Sequence, residues 1–95
     1  MAVGVVLDFD GGTLDQYDEI TKLMGFTPEG STPSDALFHW VTKTDSGIRV
    51  TDVWKTREAF DKFAQEQIGP FSAQVGISEP KMQFFDVHNY LINKG

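Results

Sequence analysis

Apolar residues alternate with small or polar ones from Ala2 to Phe9. Val3, Val5, Leu7 and Phe9 fall on one side, and Gly4, Val6 and Asp8 on the other. A period of two predicts a β-strand. The period then changes: Leu14, Tyr17, Ile20 and Met24 recur at helical spacing, with Asp18, Glu19 and Lys22 left facing water. Thr13 and Gln16 have capping-box spacing, Asp15 sits at the positive end of the helix dipole, and Gly25 is a fitting stop. Phe26 to Asp35 holds two prolines, a glycine and several Ser and Thr, the composition of a loop.

Two further strands are predicted at Ala36–Thr42 and Ile48–Lys55, joined through Thr44-Asp45-Ser46-Gly47 as a hairpin. Thr56 caps a second helix whose inward face is Ala59, Phe60, Phe63, Ala64 and Gln67/Ile68. Gly69-Pro70 is expected to interrupt it, with Phe71 to Val75 continuing in a new direction. Beyond Gly76 and Pro80, the run Lys81–Ile92 is expected to form a last, long strand. The order β-α-β-β-α-β over residues 1–95 predicts one α+β domain of the ferredoxin-like class, a four-stranded antiparallel sheet with two helices on one face.

Two helices cover only one face of such a sheet, yet apolar residues occupy both. One set is Val3, Val5, Leu7, Leu37, Val41, Ile48, Val50 and Trp54; the other is Val6, Phe38, Trp40, Val53, Phe85, Val87 and Leu91. A monomer would leave the second set as an open apolar patch. Sheet-to-sheet pairing in a two-fold homodimer would bury it.

Composition narrows the function. A net charge of -6, with eight scattered Lys and Arg in 95 residues, argues against nucleic acid as a partner. The absence of cysteine removes disulfides, thiolate chemistry and cysteine metal sites, and agrees with a cytoplasmic location. No segment has the length and hydrophobicity of a membrane span, and Met1 to Leu7 is too short and uncharged for a signal peptide. Neither a metal site nor a cofactor is called for by any motif.

The stretch Asp8-Phe9-Asp10-Gly11-Gly12-Thr13 is close to the nucleophile loop of haloacid-dehalogenase-type phosphatases. That chemistry needs Asp-x-Asp-Gly-Thr spacing, so that both carboxylates meet one phosphate and one Mg²⁺. Gly12 shifts Thr13 into the helix-cap position. The chain also lacks a later acidic pair, and it is too short for the doubly wound sheet that surrounds such a loop. Asp8 therefore reads as an outward strand residue, and Asp10-Gly11-Gly12 as a turn.

The candidates for chemistry are the two histidines, whose ordinary pKa is closest to neutrality. A hairpin centred between Asp45 and Ser46 sets Val41 opposite Val50, His39 opposite Asp52 and Leu37 opposite Trp54. His39 oriented by Asp52 has the form of a general base, and equally that of a mutually satisfied buried pair. Tyr17, Trp54, Phe60 and Phe63 would line a cavity between helices and sheet, or simply fill it. On the last strand His88 shares a face with Asp86 and Tyr90, where it would line the pocket or the dimer interface. Arg49 and Lys55 are single cations able to hold an anionic ligand group, or solvated strand positions.

Gly11-Gly12-Thr13-Leu14-Asp15-Gln16-Tyr17-Asp18, Leu37-Phe38-His39, the run Asp52 to Phe63, and Val87-His88-Asn89 together resemble small bacterial proteins of the dimeric α+β barrel superfamily. That superfamily includes the antibiotic-biosynthesis monooxygenase-like proteins. The resemblance implies a homodimer with a pocket between helices and sheet. Some relatives use that pocket for cofactor-free oxidation of aromatic polyketides, others for haem breakdown. In many of them a Trp on the third strand is followed about nine residues later by a His. Trp54 matches the first position, but Phe63 stands at the second, so the helix imidazole is missing. Two readings remain: a dimeric monooxygenase-like enzyme acting on a small apolar or aromatic ligand, with His39 and Asp52 moving a proton, and a non-catalytic dimeric binding or structural module whose aromatics are core.

Overall fold

The computed structural model describes residues 1–94. Four strands, β1 (Val3–Asp10), β2 (Ala36–Lys43), β3 (Gly47–Trp54) and β4 (Lys81–Asp86), form one antiparallel sheet in the order β2-β3-β1-β4. Helix α1 (Leu14–Met24) connects β1 to β2. A helical run made of α2 (Arg57–Phe63), a π-helical turn (Ala64–Ile68) and α3 (Gly69–Val75) connects β3 to β4. This is the ferredoxin-like α+β arrangement. No helix among the described residues is long and apolar enough to cross a membrane.

The alternation in β1 decides where the core lies. Val3, Val5, Leu7 and Phe9 are buried, and each stands opposite the inward residues of β3: Trp54, Asp52, Val50 and Ile48. Ile20, Phe60 and Ile77 close this layer from the helical side. Phe60 is wholly buried, edge-on to both Trp54 and Phe84 at centroid distances of 5.7 and 5.6 Å.

The strand-to-helix turn explains both glycines after Asp10. Gly11 adopts φ 73°, a region that disfavours side chains, and its N–H donates to Ser46 O at 2.7 Å. A Cβ on Gly12 would stand 2.8 Å from Ile77 Cδ1 and 3.1 Å from Phe9 O. Thr13 then caps α1 with the full capping box: its Oγ1 accepts from Gln16 N–H, and Gln16 Oε1 accepts from Thr13 N–H.

Three expectations are corrected. The last strand does not reach Ile92: it ends at Asp86, opposite Val3, the first residue of β1, and only the Val87 N–H to Ala2 O bond continues the pairing. Gly69-Pro70 does not break the second helical segment. Gly69 N–H reaches back to Ala64 O, five residues away, and this widened turn absorbs the proline, which lacks an N–H and would crowd the carbonyl of an α-turn. In β2 a bulge at Leu37 places Ala36, not Leu37, opposite Trp54, while His39 opposite Asp52 and Val41 opposite Val50 keep the expected register.

Candidate active site

A cavity of about 490 Å³ lies between α1, the loop 26–33, the π-helical turn with α3, and the inner face of the sheet. Its walls are mostly apolar side chains of all three strands that carry the core, and Tyr17, His39, Asp52, Trp54 and Phe63 all line it. The sheet register assembles the polar part. Asp52 on β3 sits between Val5 of β1 and His39 of β2, so a carboxylate that is 5% exposed has one apolar neighbour and one imidazole.

Four side chains are linked in a row. Trp54 Nε1–H donates to Asp52 Oδ2 at 3.0 Å, and His39 Nδ1 meets Asp52 Oδ1 at 2.6 Å. On the far side of the ring, His39 Nε2 meets the Tyr17 hydroxyl at 2.5 Å, and the two rings are stacked, 10° apart in plane. An ionised carboxylate accepts only, so Nδ1 carries a proton toward Asp52; in the neutral imidazole Nε2 is then the acceptor for the Tyr17 O–H. Burial pushes the Tyr17 pKa up, and the negative charges of Asp52 and Asp18 push it further the same way, so the phenol stays protonated.

The cavity wall contains three carboxylates, Asp18, Glu29 and Asp52, and no lysine or arginine. Arg49, a candidate anion holder, lies on the opposite face in a two-pronged pair with Asp8, at 2.7 and 3.2 Å. Lys55 is exposed and 4.0 Å from Asp35. The phosphatase-like aspartates are likewise separate: Asp8 holds Arg49 and Asp10 holds Lys81, at 3.3 Å. No cluster able to hold a metal ion occurs among the described residues.

Of the other sequence candidates, Phe63 packs 5.1 Å from Trp54 at the cavity wall, whereas Phe60 lies beneath Trp54 in the core and does not line the cavity. His88 falls beyond the end of β4, exposed and outside the cavity. Its expected strand position lies past Asp86, where the pairing of β4 with β1 ends opposite Val3. Sequence reasoning did not single out Ser72, which lines the cavity on α3. Its buried hydroxyl has no hydrogen-bond partner among the described residues. A serine at helical spacing from the inward Ile68 and Val75 was the available signal.

No protein-family model matches the chain, and no curated protein sequence matches it. Solved structures do. A provisionally assigned antibiotic-biosynthesis monooxygenase from Deinococcus radiodurans superposes with a TM-score of 0.55 at 11% identity, over 100% of both chains. SnoaB, a cofactor-independent oxygenase from Streptomyces nogalater, superposes with a TM-score of 0.58 at 15% identity, over 97% of both chains. The chain thus has the fold of the antibiotic-biosynthesis monooxygenase-like proteins over its whole length.

Proposed function

We propose that the protein is a monooxygenase-like enzyme that takes an uncharged, hydroxylated aromatic molecule into the cavity and removes its proton with the His39–Asp52 pair. The observation that carries this is a largely apolar cavity opening onto an imidazole that is backed by a buried carboxylate. A wall without lysine or arginine disfavours anionic ligands, and Trp54 and Phe63 offer ring faces to an aromatic one. Deprotonation makes such a ring electron-rich enough to reduce dioxygen directly. A ring C–H beside the hydroxyl system becomes C=O, one oxygen atom of O₂ enters the ring, and the other leaves as water. The oxygenase activity of SnoaB, on the same fold, supports this reaction class.

In the same reading the protein is a homodimer in the cytoplasm. Phe38, Trp40 and Phe85 are each about half exposed on the face of the sheet away from the helices, beside Val6 and Val53. A second copy laid on this face would remove that patch from water. Oxygen uptake with 1-naphthol and related hydroxyarenes tests the enzyme. Uptake that depends on His39 is expected, and tight binding with no uptake by any of them would leave a non-catalytic binding module instead.

A further inference from the structure

Neutral imidazole has one lone pair, and at His39 both ring nitrogens already have partners. Nδ1 of His39 faces Asp52 and Nε2 faces the Tyr17 hydroxyl, so no nitrogen of the ring is open to a ligand. Tyr17 itself lines the cavity from α1, and its oxygen, donating to His39, keeps a lone pair free. We propose that Tyr17 is the group that meets the substrate hydroxyl, and that it relays the substrate proton to His39, which acts through it. This rests on the proposed deprotonation and reassigns its contact residue.

The step balances without an outside reagent. The substrate O–H proton moves to Tyr17 Oη as the Tyr17 proton moves to His39 Nε2. The products are a substrate anion hydrogen-bonded to an intact Tyr17 phenol, and an imidazolium held by Asp52. The two transfers are coupled, because Tyr17 is disfavoured as a free phenolate by burial and by the charges of Asp52 and Asp18. Trp54 N–H on the second carboxylate oxygen fixes Asp52, and Asp52 in turn fixes the tautomer that makes Nε2 an acceptor. The opposite possibility is a plug, in which Tyr17 must swing away before a ligand can reach Nε2.

Two measurements decide between relay and plug. In the ligand-free protein, ¹⁵N NMR of His39 is expected to show an accepting Nε2 that loses its hydrogen bond in Tyr17→Phe; a proton resident on Nε2 of the neutral ring overturns the relay. In the second, 4-nitrophenol is the probe, at a pH where the free compound is mostly neutral, and its phenolate absorbance is read on titration with the full chain. Wild type is expected to raise the phenolate fraction, and Tyr17→Phe and His39→Gln to reduce that rise alike, by roughly tenfold. A Tyr17→Phe protein with an undiminished or larger rise than wild type, alongside an inactive His39→Gln, overturns the relay and leaves His39 as the direct base. No rise in wild type overturns the deprotonation reading together with the relay. Circular dichroism of both variants guards against misfolding, and 3-fluorotyrosine in place of Tyr17, in a Tyr90→Phe background, retains the hydroxyl and should retain the rise.

Discussion

The indole N–H of Trp54 donates to the carboxylate of Asp52, two residues away on the same strand face, and both side chains are buried. The bond gives Asp52 a second partner besides His39, so one carboxylate satisfies two donors from two strands. Removing it strands both.

Asp52→Ala is therefore expected to destabilise the fold by about 2–4 kcal/mol, since it leaves an indole N–H and an imidazole N–H without partners in an apolar setting. Asp52→Asn keeps an acceptor oxygen and is expected to cost less. Urea unfolding of the two variants checks this order. Equal and negligible losses would mean that the carboxylate serves no structural purpose.

Ser72→Ala is expected to act in the opposite direction. The hydroxyl is buried without a partner, and alanine is the better helix former, so stability should rise by up to about 1 kcal/mol. If the hydroxyl is kept for a ligand atom, hydroxyarene affinity should fall in the same variant. A calorimetric scan showing a lowered Tm would refute the stability half, and unchanged affinity the ligand half.

Gly47 marks where the hairpin end passes against the β1–α1 turn. A Cβ there would stand 2.0 Å from Phe9 O and 2.9 Å from Gly11 N, both backbone atoms that cannot step aside cheaply. Gly47→Ala is expected to cost about 3 kcal/mol or to prevent folding. Gly69→Ala is the control: its Cβ would meet only Ala64 O at 3.4 Å in a right-handed helical backbone, and it should be neutral or slightly stabilising. Similar denaturation midpoints for the two variants would contradict this account.

The sheet and the His39–Asp52 pair were legible because period-two alternation and a two-residue hairpin loop fix a register, and only one register placed Val41 against Val50 and His39 against Asp52. The bulge at Leu37 was hidden, since Ala36 and Leu37 are both apolar and either could stand opposite Trp54. The end of β4 was hidden for a different reason: Val87 to Ile92 keeps strand-like composition, but strand length is set by the partner, and β1 begins at Val3. The Tyr17–His39 contact spans 22 residues and depends on how α1 is rotated above the sheet, which no local pattern encodes. Likewise, nothing around Gly69-Pro70 announces that a π-helical turn upstream will keep the helix going.

The Asp8–Arg49 pair should show in the pH dependence of stability. The hydrogen bond from Arg49 holds the Asp8 carboxyl below the ordinary aspartate value. A depressed native pKa means that the contribution is complete above the ordinary value and disappears as the pH falls through the native one. Wild type and Asp8→Asn should thus differ in urea midpoint near neutrality and converge in strong acid. The difference at neutrality should shrink in high salt, because both partners are partly exposed. A gap that widens towards low pH would show the sign to be wrong.

Trp40 tests the exposed face of the sheet. It is 47% exposed on β2, with Phe38 at 51% and Phe85 at 53% on the same side, an apolar group that no helix covers. If a second copy covers it, Trp40→Glu places a charge in a desolvated interface, and sedimentation velocity should show a monomer where wild type is a dimer. The monomer should keep its secondary structure, because the inner-face core of Val5, Leu7, Val50 and Phe60 is untouched by the change. A wild-type protein that sediments as a monomer would refute the dimer and leave the patch needing another partner.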